Sequence, residues 1–450
     1  MVYGRRRLGK THLVERLAAA TGGLYFCAAQ QSSQLNLADL SVAVSAWLGS
    51  ETPVRYGSWD EALTHLLHLP VKAPPPVIVF DEVGYLIEQT PSFPSLLQRA
   101  LDRQPRPTRP ILLSGSSLGV MRSLTASGKP LRGRANLELV LQPFDFRTAA
   151  DFWQMSNSRA AIHLWSVVGG TAGYRELCDN EAPATEAAFV GWLMRHVLSP
   201  SAALHREGRV VVLEDAEFAE PASHWAVLSA ISAGARTRAV IAERTGRPSA
   251  SLGNSLTMLV NGGLVARDED PLHGRRSSYR IAEPMVTTWK EIVEPIERRA
   301  QISDPARLFN DIEAPLHARV IGPAFEQLTR DWALSHASEG TLGGRPTMVG
   351  SAGLGRALES TTSAQIDIVA VDRSPSGRPT ILALGEAKHR NRPMESGHLR
   401  RLEELRLRLK SPAAKLLLAC DAGFDRELQR LTRSRSDIEL IDADRLRHGD

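Results

Sequence analysis

The stretch Gly4-Arg5-Arg6-Arg7-Leu8-Gly9-Lys10-Thr11 constrains the fold of this chain more than any other feature. It fits the pattern G-x-x-x-x-G-K-[ST], which needs a strand in front, a helix behind, and backbone N–H groups that curl around an anion. Leu13, Val14 and Leu17 follow at helical spacing, so the N-terminus of that helix points at whatever the loop holds. Such a strand–loop–helix unit belongs in an α/β domain with a parallel sheet. Only Met1, Val2 and Tyr3 precede the loop, where a strand of about five residues is usual. Either the true start lies upstream or the first strand is clipped, and a clipped strand holds the loop less rigidly.

Further along, short apolar runs alternate with helical patterns to about residue 150. Leu24-Tyr25-Phe26-Cys27, Val77-Ile78-Val79-Phe80 and Ile111-Leu112-Leu113 read as buried parallel strands. Ser58 followed by Glu61 is a capping box that opens a helix with Leu63, Leu66 and Leu67 on its apolar face. Pro74-Pro75-Pro76 stops that region and leads into the next strand.

The chemistry of the loop follows from its residues. Gly4 and Gly9 free the backbone of Arg5, Arg6, Arg7 and Leu8 to wrap phosphates. Lys10 reaches the β- and γ-phosphates of ATP, and the Thr11 hydroxyl ligates Mg2+. A second motif stands at a sensible distance: the strand Val77–Phe80 delivers Asp81 and Glu82 to its C-terminal end, where parallel sheets bind ligands. Asp81 would hold the metal and Glu82 would orient or deprotonate the attacking water. The plainer alternative is a pair of solvated acids. Ser116, at the end of the next strand, is a candidate sensor of the γ-phosphate, or an ordinary strand-to-turn serine. Arg132 and Arg134 are candidates for an arginine that stabilises transferred charge, or ordinary surface arginines.

The loop, Val79-Phe80-Asp81-Glu82-Val83, Leu113-Ser114-Gly115-Ser116-Ser117 with Met121, Leu131-Arg132-Gly133-Arg134, and Val168-Gly169-Gly170 with Tyr174 together resemble the archaeal-type ATPase family. That family is a branch of the AAA+/STAND-like P-loop ATPases, and the resemblance runs over essentially the whole chain. Its members usually carry a proline in the Gly-Gly segment, where this chain has Ala172. The resemblance implies an ATP-dependent enzyme with a winged helix and a C-terminal nuclease-like domain.

The residues after the first domain support those parts. From about 150 to 220 the pattern is helical, with Trp153, Trp165 and Trp192 among the apolar residues. His224–Ala233, Thr237–Thr245 and Ser249–Asn261 read as three helices, followed by strands Leu264–Arg267 and Ser278–Ile281 around a polar tip, Asp270–Arg276. The third helix would expose Ser249, Ser251, Asn254 and Ser255 beside Leu252, Leu256 and Leu259. Arg236, Arg238, Arg244 and Arg247 flank it, Arg275 and Arg276 sit at the tip between the strands, and such arginines could contact DNA phosphates. The alternative is that this module packs within the protein as a lid or partner surface.

Last comes a helix around Ala318–Ser335, strands Gln365–Val371, Thr380–Lys388 and Lys415–Cys420, and a charged helix Leu399–Lys410. Glycines between Gly340 and Gly355 suggest a loop or hairpin. On a strand Glu386 and Lys388 point the same way, and pairing of the two strands brings Asp367 to them. Glu326 on the preceding helix adds a third acid. This D-x18-E-x-K pattern resembles the PD-(D/E)xK nucleases, although Ile366 replaces the proline that names them. Asp367, Glu386 and Glu326 would bind Mg2+ and Lys388 would stabilise charge or position water, with Arg390, Arg392, Arg400 and Arg401 near a polyanionic backbone. The alternative is the same fold without activity.

The expected fold is therefore α/β. It comprises a P-loop NTPase parallel sheet (1–150), a helical lid region (151–222), a winged helix-turn-helix (223–297) and a restriction-endonuclease-like domain (298–450). The chain has 450 residues, a net charge of +4 and three separated cysteines, Cys27, Cys178 and Cys420, which predict buried thiols. No apolar run approaches the roughly 20 residues that span a bilayer, and the chain opens directly into a functional motif rather than a secretory signal. A soluble cytoplasmic protein is expected. Thirteen histidines show no zinc spacing, so no structural metal is expected.

Overall fold

The computed structural model describes residues 1–70, 75–103, 109–213, 221–274, 277–300, 305–354, 364–373 and 379–450. Two compact units result: Met1–Pro143, and the described residues from Phe144 to Asp450.

In the first unit five strands form one parallel sheet. They are β1 (Val2–Tyr3), β2 (Leu24–Cys27), β3 (Ile78–Asp81), β4 (Ile111–Gly115) and β5 (Leu139–Val140), in the order β2-β3-β4-β1-β5. β1 is only two residues long, yet it pairs on both sides: Val2 with Ser114 and Leu139, Tyr3 with Gly115 and Val140. Both side chains are buried, so the strand before the loop is anchored despite its length. A Cβ on Gly4 would lie 2.7 Å from Leu141 O, which leaves room only for glycine where the loop leaves the sheet. Gly9 caps the helix Lys10–Thr21 at φ +83°, a backbone state that glycine adopts without strain. Ser58 caps the helix Trp59–His68 by accepting from Glu61 N, and the Glu61 carboxylate accepts from Gly57 N at 2.8 Å. In the core beneath, Phe80 meets Phe26 and Phe93 edge to face, as Phe93 meets Trp59, while Trp59 lies tilted against Phe26. Cys27 departs from expectation: it is exposed, because β2 is the edge strand of the sheet, whereas Cys178 and Cys420 are buried.

The second unit begins with helices Phe146–Phe152, Ser158–Val168, Glu186–Leu193 and Ala203–Leu213. Gly169 and Gly170 end the second of these where the chain passes other backbone closely. A Cβ on Gly170 would fall 1.9 Å from Phe144 O, and one on Gly169 2.9 Å from Pro284. Next come helices Pro221–Ser232, Arg238–Thr245 and Leu252–Asn261, then an antiparallel pair, β6 (Val265–Glu269) and β7 (Ser277–Ile281). Arg275 and Arg276 lie outside the described residues, as does Pro74 in the first unit.

The final sheet holds β8 (Met348–Leu354), β9 (Ala364–Asp372), β10 (Thr380–Lys388), β11 (Lys415–Cys420) and β12 (Ile438–Ile441), in the order β12-β11-β10-β9-β8. β8, β9 and β10 are antiparallel neighbours, while β10, β11 and β12 run parallel. One face carries Ile368, Ala370, Ala383 and Leu417 into a core shared with Phe325 and Trp332 of helix Gly322–Ser335 and with Trp153 and Trp192. The other face carries Val369, Leu384, Leu416 and Leu418 against Leu399, Leu402 and Leu405 of helix Gly397–Arg408. Alternation along each strand divides the apolar residues between the two layers. The glycine-rich segment is not a loop throughout, since Gly350 and Gly353 lie inside β8. A Cβ on Gly350 would come within 2.9 Å of Pro271, so this glycine lets the end of β6 approach the sheet edge. Among the described residues no helix is long and apolar enough to cross a membrane.

Candidate functional site

At the C-terminal edge of the first sheet, three neighbouring strands bring polar groups together. Lys10 is buried, and its Nζ donates to Arg5 O at 2.7 Å, folding the ammonium back onto its own loop. Burial holds its pKa below the usual lysine range, against the opposing pull of Glu82 and Asp81. Arg7 adopts φ +65°, unusual for a residue with a Cβ, and Arg6 Nη2 donates to Tyr85 Oη at 3.2 Å. Leu8 is buried beside Gly4, whereas Thr11 is exposed at the start of the helix.

Asp81 ends β3 and is buried; its Oδ1 accepts from Glu82 N at 2.9 Å and its Oδ2 from Tyr25 Oη at 3.1 Å. Tyr25, one strand over on β2, escaped the sequence reading. Its signal is the register between the strands, which sets Tyr25 beside Val79 and Cys27 beside Asp81. Burial, with the charge of Asp81, pushes the Tyr25 phenol far up, so it stays a donor. Glu82 sits at φ +48° at the head of helix Val83–Gln89, and Ser116 Oγ donates to Glu82 Oε2 at 2.9 Å. Glu82 and Ser116, singled out separately in sequence, thus form one pair. Arg134 is elsewhere engaged: its guanidinium holds both oxygens of Asp102, at 2.9 and 2.7 Å, and Pro130 O. Arg132 donates to Ser127 Oγ at 2.6 Å.

In the second unit the acid–lysine residues converge. Lys388 Nζ lies 2.8 Å from Asp367 Oδ2 and 3.5 Å from Glu386 Oε1, and Ala387 N also donates to Asp367 Oδ2 at 3.2 Å. The register of β9 and β10, with Gly385 opposite Ile368, brings these side chains to one place. Glu386 is 3% exposed and is further held by His398 Nδ1 at 3.0 Å and Arg401 Nη1 at 3.1 Å. His398 was missed because its contribution depends on how helix Gly397–Arg408 lies over β10. Glu326 joins from helix Gly322–Ser335: burial, then the charge of Asp367, pushes its pKa up to about 7. Arg330, one turn on, approaches Glu326 at 3.9 Å and donates to Asp367 O at 2.9 Å.

The helix Leu252–Asn261 exposes Asn254, Thr257 and Asn261, and the turn before it exposes Ser249 and Ser251. Ser255 corrects the expectation: it is 6% exposed, packed on the same side as Leu252, Leu256 and Leu259. Three flanking arginines act inside the module. Arg238 donates to Ser249 O and Ala250 O, Arg244 to Ala233 O, and Arg247 to Ser223 Oγ. Arg236 remains exposed, and its charge is felt by Glu326. Arg373, beyond β9, donates to Asp270 O and Pro271 O and lies 3.8 Å from Glu269, which ties the wing to the final sheet.

These two regions define the class. Residues 1–175 match a family model described as an ATPase domain predominantly from Archaea, and residues 221–276 match the MarR family model. The chain thus carries an archaeal-type ATPase domain followed by a MarR-type winged helix. An uncharacterised protein of Methanocaldococcus jannaschii is 23% identical over 340 residues, spanning 74% of this chain and 72% of its own length. Among solved structures, the ORC2 protein of Aeropyrum pernix, in ADPNP-ADP complexes, superposes at TM-score 0.44 with 16% identity, over 67% of this chain and 88% of that one. Cdc6p from Pyrobaculum aerophilum gives TM-score 0.29 at 16% identity, over 66% of this chain and 87% of that one. The A. pernix ORC1 protein in complex with DNA gives 0.30 at 15%, over 66% and 87%.

Proposed function

We propose that this protein is a Mg2+-dependent ATPase whose nucleotide state acts on a DNA-associated winged helix and a nuclease-like domain. The observation that carries the ATPase reading is the Glu82–Ser116 pair, set beside Asp81 where the loop Gly4–Thr11 leaves the parallel sheet. Lys10 would turn from Arg5 O to the β- and γ-phosphates, because a buried ammonium with a depressed pKa gains most from a polyanion. The hydroxyl of Thr11 and the carboxylate of Asp81 are oxygen donors of the kind Mg2+ takes, and bound Mg2+ would neutralise phosphate charge there. Glu82 would take the proton of the attacking water, with Ser116 fixing the carboxylate and reporting the γ-phosphate. Arg134 would serve in charge stabilisation only after leaving Asp102. Steady-state phosphate release tests this reading: Lys10→Ala should abolish it, and wild-type turnover in that variant would refute it.

Asp367, Glu386, Lys388 and Glu326 support the second activity, hydrolysis of a nucleic-acid phosphodiester. Their carboxylates supply oxygen donors suited to Mg2+, which would polarise the phosphodiester there. Lys388 would hold the negative charge that develops on phosphate. DNA would meet the exposed face of helix Leu252–Asn261, and Arg236 is exposed and close enough for its charge to act on Glu326. The domain scheme with a lid before the winged helix and a nuclease-like domain from about 298 belongs to the same proposal. A nicking assay with Mg2+ or Mn2+ decides it: Glu386→Ala, Lys388→Ala protein should leave DNA intact where wild type cuts. The rival reading is a nucleotide-gated DNA-binding regulator with an inactive nuclease-like scaffold. Its support is that Arg401, His398 and Lys388 already occupy Glu386. Wild-type protein that binds DNA with steep salt dependence and never nicks it would favour that rival.

A further inference from the structure

A histidine cluster in the second unit is used by neither proposed activity. His163, on helix Ser158–Val168, is 2% exposed, and neither of its ring nitrogens has a hydrogen-bond partner. Two unpaired polar atoms in a buried position demand a physical reason, since burying a polar group without a partner is costly. The His163 ring stands edge-on to His389, with centroids 5.2 Å apart. His389 follows Lys388 at the end of β10, so it faces away from the Asp367 side of the strand. Its Nδ1 lies 2.7 Å from Asp421 Oδ2, and both side chains are almost fully buried. One ligand atom from each of His163, His389 and Asp421 falls within 4.8 Å of the other two.

We propose that His163, His389 and Asp421 bind a divalent transition-metal ion of the zinc class, tying helix Ser158–Val168 to the ends of β10 and β11. Two imidazoles and a carboxylate are a donor set that zinc accepts, with a fourth position left for water. The surrounding contacts are those that orient metal ligands. His389 Nε2 lies 2.7 Å from His317 Nδ1, with the two rings stacked. Asp421 Oδ1 accepts from Arg390 N at 3.0 Å, and Oδ2 from Arg159 at 3.2 Å. Binding a metal through His389 Nδ1 takes the tautomer whose proton sits on Nε2, from which the ring donates to His317 Nδ1. The charges fit a dication: Arg159 lies between Asp421 and Glu186, two carboxylates against one guanidinium. The site escapes linear spacing because His317 and His389 are 72 residues apart, and His389 and Asp421 32.

The test titrates chelator-stripped, full-length protein with Co2+ and reads the visible bands of four-coordinate cobalt. One equivalent should bind with the same spectrum in wild type and in Asp367→Asn, Glu386→Gln protein, and Zn2+ should displace it. His163→Gln and His389→Gln should each weaken Co2+ binding at least 100-fold. If either variant fails to fold, the wild-type spectrum and its survival in the Asp367→Asn, Glu386→Gln protein still decide the matter. No band in wild type, or a band lost with Asp367 and Glu386 yet kept in His163→Gln, would overturn the proposal. ATP turnover and nicking are separate readouts, so this result stands or falls independently of them.

Discussion

Lys10 feels two carboxylates and Lys388 three, and the two ammonium groups end on different partners. Lys10 donates to a backbone carbonyl, Arg5 O, while Asp81 and Glu82 are occupied by neutral donors, Tyr25 Oη, the Glu82 N–H and Ser116 Oγ. Lys388 donates to a carboxylate itself, Asp367, at 2.8 Å and forms an ion pair with a second, Glu386, at 3.5 Å. Burial depresses Lys10 more than Glu82 and Asp81 restore it. Burial also pulls on Lys388, but Asp367, Glu386 and Glu326 outweigh it and leave its pKa raised. The same residue types therefore build an ammonium short of negative charge in one unit and an internally neutralised one in the other. On the proposed reading the first would be completed by an anion. In the second, a cation entering between the acids must compete with Lys388 for them.

The largest expected effect separates the acids of the first unit from its lysine. Glu82→Gln should cut ATP hydrolysis by roughly 10²–10⁴-fold, the range for losing a general base, while leaving Mg–ATP affinity nearly unchanged. Phosphate release and equilibrium binding on one preparation check both halves. An equal loss in binding and turnover would make Glu82 a ligand rather than a base.

Lys388→Ala tests the other half of the comparison. Removing the competing ammonium should tighten Mn2+ binding, yet cleavage should fall about 100-fold as the stabilising charge disappears. Mn2+ titration followed by spin resonance, beside nicking rates, reads both. Unchanged Mn2+ affinity would mean that Lys388 does not guard the acids.

A smaller effect concerns pH. Glu326 has its pKa pushed from 4.5 to about 7 by burial and by Asp367. The folded state thus keeps a proton that the unfolded chain releases, and stability falls as pH rises from about 4.5 to about 7. Glu326→Gln should therefore raise stability above pH 7 by on the order of 2 kcal/mol and change little near pH 4. Urea melts at the two pH values measure it, and an equal effect at both would detach the change from ionisation.

The smallest is Tyr25→Phe, which removes one hydrogen bond from Asp81. It should weaken Mg–ATP binding by about 1 kcal/mol without altering the pH dependence of turnover. A loss as large as that of Lys10→Ala would assign Tyr25 a direct role in binding.

Much of this was legible in the linear sequence where chemistry and local geometry coincide. The loop Gly4–Thr11 before its helix, the Asp81-Glu82 pair at a strand end and the Ser58 cap are each set within a few residues, and each lies at the element boundary read for it. The strand spacing of Glu386 and Lys388, with Asp367 one strand away, also survives, because period-two alternation leaves little freedom. What was not legible depends on register and packing across long separations. Tyr25 reaches Asp81 only because β2 lies beside β3, and Cys27 is exposed only because β2 is the edge. His398 and Arg401 meet Glu386 through helix Gly397–Arg408, and Ser255 is buried by the lie of its helix. The glycines from Gly340 read as a loop or hairpin, and only the register of β8 on β9 and the approach of Pro271 show Gly350 inside a strand.

Mg–ATP binding by calorimetry, on wild type and on Lys10→Ala, tests the central contrast most directly. The account predicts saturable binding by the wild type and affinity weakened roughly 100-fold in the variant, as a charge-assisted contact worth about 2–3 kcal/mol is lost. Equal affinity in the two proteins would contradict it, because Lys10 would then not be the ammonium that the phosphates complete.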